Sequence, residues 1–172
     1  MATTKPFTDD VDVLNYALTL EHLEATFYRE AMDKFSNSDY TAAGLQTSVR
    51  DWIGTIAKDE ADHVDALTAA IKQLKGTPVA EAKYDFGYTD LMSFFKTAAA
   101  IEGLGVSAYQ GAAQYLMDSG ALLTAALTIH GVEGRHAAYL NVLNGTDPFP
   151  DATDSPKTKD EVLKVAGPFI KS

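Results

Sequence analysis

The chain has 172 residues, 46% of them apolar and 22% charged, which fits one globular domain with a substantial core. It contains no cysteine, so disulfides, thiolate metal sites, iron–sulfur clusters and cysteine nucleophiles are excluded, and any metal must be held by oxygen and nitrogen, which favours iron, manganese or zinc. A formal net charge of −10 repels phosphates and anionic lipids, so neither nucleic acid nor a membrane is an expected partner.

The polar, acidic start MATTKPFTDDVDV has no signal-peptide core, and no apolar run reaches the length of a membrane span. The expected location is therefore cytoplasmic, although the mature form of an exported protein would read the same way. A first helix is expected after Thr8-Asp9-Asp10, which offer an N-cap and an acidic first turn. Val13, Leu14, Ala17, Leu18, Ala25, Tyr28 and Met32 keep to one of its faces, and the polar stretch SNSD ends it. A second helix is expected from near Asp39 to Lys75, with Trp52, Ile53, Ile56, Val64, Leu67, Ile71 and Leu74 as its buried stripe and Gly76 as its stop.

Residues 76–88, GTPVAEAKYDFGY, lack a helical period and are long enough to carry the chain from one end of a bundle to the other. Thr89-Asp90 open a third helix lasting to about Met117. Ser119 or Gly120 opens a fourth, which ends at Asn144-Gly145 as a glycine C-cap does. After a proline-containing linker, Thr158-x-x-Glu161 fits a capping box ahead of a short last helix closed by Pro168. The fold class is all-α: a four-helix bundle with a long crossover between helices two and three and a short fifth C-terminal helix. One domain spans residues 1–172, with the bundle at about 9–145, the linker at about 146–156 and the last helix at about 157–167.

One carboxylate pattern occurs twice. Glu21 is followed by Glu60-x-x-His63, and Glu102 by Glu133-x-x-His136. A glutamate and a histidine three apart on a helix project from one side and can reach the same volume. Four carboxylates and two imidazoles over four helices are what a bundle needs to hold two metal ions. Glu102 is the only charged residue between Lys96 and Asp118, in a segment apolar enough to be buried all round. A buried, ionised glutamate must protonate, pair or bind a cation, and neither Lys96 nor Arg135 is well placed to neutralise it.

Each lone glutamate has a tyrosine seven residues on, Tyr28 after Glu21 and Tyr109 after Glu102, on the same helix face. These phenols are either core aromatics or groups that orient ligand carboxylates and supply protons. Glu24 is a candidate additional ligand or proton carrier. His130, one turn before Glu133, is read as a core histidine or a seventh ligand, and His22 as pointing away. Gly103, Gly105, Gly131 and Gly134 beside the ligands suggest close helix approach.

The order Glu, Glu-x-x-His, Glu, Glu-x-x-His with a long middle crossover resembles the ferritin-like superfamily of dinuclear carboxylate proteins. More narrowly, NYALTLEHLEATFYREA, KDEADHVDAL and YDFGY resemble the ferritin-like-domain group that includes desiccation-related and stress-associated proteins, over roughly residues 9–170. The resemblance implies two iron or two manganese ions per chain. Glu21, Glu60 and His63 would serve one half-site, Glu102, Glu133 and His136 the other, with Glu60 and Glu133 as bridging carboxylates. The chain departs from cage-forming ferritins in its linker and fifth helix, and from rubrerythrins in having no cysteine-ligated iron domain.

The expected function is redox chemistry on dioxygen or hydrogen peroxide, ferroxidase-, peroxidase- or manganese-catalase-like, with Fe(II) as a further small substrate. A non-catalytic metal-binding or desiccation-protective protein, or an oxygenase served by an apolar tunnel, are the alternatives. Assembly into a homo-oligomer is left open.

Overall fold

The computed structural model describes residues 5–116 and 120–171. Helix α1 (Asp10–Lys34) starts where the Asp9 side chain accepts from the Asp12 amide at 2.9 Å. It ends at Lys34, and Ser36 immediately caps a short helix, α2 (Asn37–Ala42), through a box with Asp39. Gly44, with φ +77°, turns the chain into α3 (Thr47–Gln73). The single helix expected from Asp39 to Lys75 is therefore two: Asp39 lies within α2, which ends at Ala42, and α3 begins only at Thr47, past the turn at Gly44. Among the described residues the bundle then has four long helices, the last two being α4 (Leu91–Ala113) and α5 (Gly120–Leu143). Helix α4 thus ends at Ala113, short of the expected Met117; Met117 and Ser119 themselves lie outside the described residues.

Contacts at the helix ends set the directions. The Arg50 guanidinium donates to the Met32 carbonyl at 3.0 Å, and the Asn15 amide to the Thr77 carbonyl at 3.1 Å, so α1 and α3 are antiparallel. The Asn144 side chain donates to the Phe95 carbonyl at 2.9 Å, which makes α4 and α5 antiparallel. Tyr28 meets Glu102 and Tyr109 meets Glu21, so α1 and α4 are antiparallel too. It follows that α3 and α4 run the same way, and the link between them must return the full length of a helix of 27 residues, about 40 Å. Residues 74–90, at about 3.3 Å each when extended, can do so.

The aromatic residues of that link serve the core. Phe86 and Tyr88 set their rings edge-on to Phe27 at 5.0 and 5.3 Å, while Phe27 stacks on Phe94 of α4 at 5.0 Å. Strand β1 (Lys83–Tyr84) of the link pairs antiparallel with β2 (Ile170–Lys171) near the C-terminus, a clasp the sequence pattern did not suggest. Ahead of β2 lies α6 (Lys159–Ala166), opened by the expected Thr158–Glu161 box and followed by a 3-10 turn at Gly167–Phe169 that contains Pro168.

Two members of the expected stripe on α3 are exposed, Trp52 at 52% and Leu74 at 41%. The buried seam runs through Ile53, Ile56, Glu60, His63, Leu67 and Ile71. Trp52 lies a residue off that phase and packs edge-on against Tyr139, 5.6 Å away, while Leu74 is already the C-cap. Helix α5 also differs from a buried helix. Leu127 and Val142 are exposed, because α5 packs chiefly on α4 and leaves a cleft toward α3. Among the described residues no helix is long and apolar enough to cross a membrane.

Candidate metal centre

At mid-bundle each long helix turns a glutamate inward. Glu21 of α1, Glu60 of α3, Glu102 of α4 and Glu133 of α5 all have 0% exposure. His63 and His136, one turn beyond Glu60 and Glu133, are buried beside them. The six residues fall into two overlapping groups whose potential ligand atoms lie within 4.8 Å of one another: Glu21, Glu60, His63, Glu133, and Glu60, Glu102, Glu133, His136. Both groups could hold a metal ion, and Glu60 and Glu133 belong to both.

The interatomic distances test the fit. His63 Nδ1 lies 3.1 Å from Glu60 Oε2, 3.2 Å from Glu21 Oε2 and 3.2 Å from Glu133 Oε1. One ring N–H cannot serve three acceptors. His136 Nδ1 lies 2.9 Å from Glu60 Oε1 and 3.4 Å from Glu102 Oε2, yet it lacks hydrogen-bond geometry to either. Glu60 Oε1, Glu102 Oε2 and both oxygens of Glu133 are likewise buried without a hydrogen-bond partner. Neighbouring donors on an octahedral ion with bonds of about 2.1 Å are separated by about 3.0 Å. The atoms are spaced closely enough to converge on an ion, and oxygen and imidazole donors suit iron, manganese or zinc.

Without a cation, protons must neutralise the cluster. Burial, and then the charges of its neighbours, pushes Glu24 and Glu133 well above the carboxylate range. Burial lifts Glu60 to about 7 against the pull of His136 and His63. Burial opposes charge on the two imidazoles, but the carboxylates prevail. Glu133, Glu21 and Glu60 push His63 up to about 12, and Glu102 and Glu60 push His136 up to about 11.

The tyrosines pair crosswise. Tyr28 donates to Glu102 Oε1 and Tyr109 to Glu21 Oε1, each phenol reaching the glutamate of the other hairpin. Seven residues advance a helix by about 10 Å, too far for a phenol to fold back onto its own glutamate. In the antiparallel neighbour the same advance brings it level with the opposite glutamate.

The remaining candidates stand outside both groups. Glu24 is buried beside the cluster, and its Oε2 has no partner among the described residues. His130 Nε2 lies 3.9 Å from Asp154 of the linker, and His22 Nε2 lies 3.2 Å from the Val79 carbonyl. Of the four glycines, only Gly105 gives way to the site: a Cβ there would stand 3.0 Å from Glu24 Oε1 and 3.3 Å from Glu133 Oε2. One participant was missed. Asp59 Oδ2 lies 3.3 Å from His136 Nε2, fixing the ring from outside, as acids behind ligand histidines do. In the sequence Asp59 and Asp62 look alike, and only the position of α5 tells them apart. A cleft between α3 and α5, lined by Trp52, Asp59, His63, Arg135, His136 and Tyr139, opens onto both imidazoles.

An up-down-down-up bundle with inward carboxylates and histidines defines the ferritin-like class, and residues 9–146 match the ferritin-like domain family, to which the chain belongs. Among curated proteins the chain is similar to protein rds1 of Schizosaccharomyces pombe. The two are 25% identical over 169 residues, which cover 98% of this chain and 41% of that protein. The chain thus spans about two fifths of the relative's length.

Proposed function

We propose that this chain is a non-haem dinuclear iron or manganese carboxylate protein, an oxidoreductase acting on dioxygen or hydrogen peroxide. A single ferritin-like domain spanning the whole chain would carry the centre. The observation behind the reading is the sharing of Glu60 and Glu133 between two buried groups. A shared carboxylate is what holds two ions as a pair. Glu21 with His63, and Glu102 with His136, complete the two ends. An iron or manganese pair bound there supplies one-electron redox steps to a small oxidant. Tyr28 and Tyr109 hold Glu102 and Glu21 in place and keep one proton each beside the site. Asp59 fixes the His136 ring, and the α3–α5 cleft gives polar solutes access to the histidines.

The test is metal content by elemental mass spectrometry after anaerobic reconstitution with Fe(II) and, separately, Mn(II). About two ions per chain are expected. Glu102→Ala, which touches one group, should keep about half of them, and Glu60→Ala, which touches both, should keep almost none. No retained metal from either preparation would remove the enzymatic reading. Metal that raises the melting temperature but leaves Fe(II), dioxygen and peroxide untouched would make the centre structural.

A further inference from the structure

One turn from the carboxylates the bundle is hollow. A cavity of about 60 Å³ lies between α1, α3, α4 and α5. Its walls include Ala17, Ala70, Ala112 and Ala126, an alanine from each helix where a larger side chain would fill the space. Ala17 is four residues before Glu21, and the lining residues Leu67 and Ile129 are four residues after His63 and four before Glu133. Tyr109 lines the cavity and also donates to Glu21, so its side chain reaches from the hollow to the carboxylate cluster.

The walls select the occupant. They are aliphatic apart from Tyr16 and Tyr109, and the Tyr109 hydroxyl is already committed to Glu21. Water needs two to four polar partners, and the Tyr16 hydroxyl alone cannot supply them, so the hollow, which reaches the surface beside the exposed Ala66 and Ala125, holds water poorly. Hydrogen peroxide and Fe(II) would lose their hydrogen bonds or hydration without replacement. An acyl chain or an aromatic ring is too large, since a cavity that takes up benzene measures about 150 Å³. A small apolar molecule fits without loss.

We infer that this cavity is a dioxygen-binding chamber that serves the neighbouring centre, while ions and peroxide use the polar cleft between α3 and α5. The assignment of dioxygen rests on the di-metal reading. Occupancy of the chamber by an apolar atom does not, so metal-free protein tells the two failures apart.

The experiment uses xenon as the probe. Metal-free protein is examined by xenon NMR and in xenon-pressurised crystals, alongside Ala126→Leu and Ala112→Val, which narrow the chamber from different helices. Either variant suffices if the other fails to fold. Xenon should occupy the chamber in the parent and be displaced in the variants. In Fe(II)-loaded protein the variants should raise the dioxygen concentration for half-maximal ferrous oxidation several-fold, with peroxide-driven oxidation unchanged. Absence of xenon from the parent chamber would overturn the inference. So would variants that exclude xenon, are merely more stable, and keep the parent's dioxygen dependence; the hollow would then be a packing void.

Discussion

The smallest units that matter are the two crossed phenol–carboxylate pairs. Each joins a buried tyrosine to a carboxylate with 0% exposure, where a lost partner is poorly replaced by water. Tyr109→Phe keeps the ring but strands Glu21 Oε1. The expected loss is about 1–3 kcal/mol in urea denaturation of the metal-free protein. Metal affinity, read by chelator competition, should fall about 10–100-fold. Tyr28→Phe should act in the same way on Glu102. Unchanged affinity in both variants would make the tyrosines plain core aromatics. At this scale the sequence was informative about spacing and silent about partners. The i, i+3 pairs and the seven-residue steps placed side chains on faces, because those follow from helix geometry alone. The crossing of the pairs and the involvement of Asp59 depend on which helices are neighbours, which spacing along one helix does not encode.

Among elements, the caps were the most readable feature. Asp9, Asp90 and Thr158 each accept from a backbone amide three residues on, a local motif that needs no tertiary knowledge. The break between α2 and α3 was missed because it rests on the left-handed turn at Gly44, and a single glycine does not by itself end a helical pattern. The β1–β2 clasp was missed because two-residue strands carry no alternation. Gly111 is a further element-scale feature. A Cβ there would lie 1.9 Å from the Lys157 carbonyl oxygen, so only glycine lets the linker cross α4, where the Lys157 amide donates to the Ser107 carbonyl at 3.1 Å. Gly111→Ala should displace the linker and loosen α6, with a loss of about 1–3 kcal/mol. Hydrogen exchange should show faster exchange in α6 and little change at the centres of α1 and α3. Equal acceleration everywhere would mean that the linker is not a separable part.

For the whole molecule the buried cluster sets the response to pH. Glu60, His63 and His136 are all shifted upward, to about 7, about 12 and about 11 from 4.5, 6.5 and 6.5. The folded, metal-free chain therefore binds more protons than the unfolded one, and its stability falls as pH rises. The Glu60 contribution disappears between 4.5 and about 7. Those of the histidines are complete below 6.5 and are lost toward about 11 and about 12. Each extra proton is worth up to about 1.4 kcal/mol per pH unit. Asp39, Asp85, Asp90 and Glu161 are shifted the other way by their hydrogen bonds and ion pairs, so their contributions are lost only in more acidic solution. Thermal melts with chelator should give a lower Tm at about pH 8 than at about pH 6. Metal-loaded protein should reverse the order, because metal and protons compete for the same atoms. Parallel profiles with and without chelator would contradict this.

The crossed tyrosines also impose an order in time. The two bonds close loops of 74 and 88 residues, longer than the 62-residue separation of Asn15 and Thr77 at the open end of the α1–α3 hairpin. Contacts of such separation form late, after local helix pairs have paid their closure entropy. Until the α1–α3 and α4–α5 hairpins dock, each presents only two glutamates and one histidine of the six. The finished pocket exists only in a chain that has completed its fold; on the di-metal reading, an ion arriving during synthesis would meet half a site, and capture would be a late event of maturation.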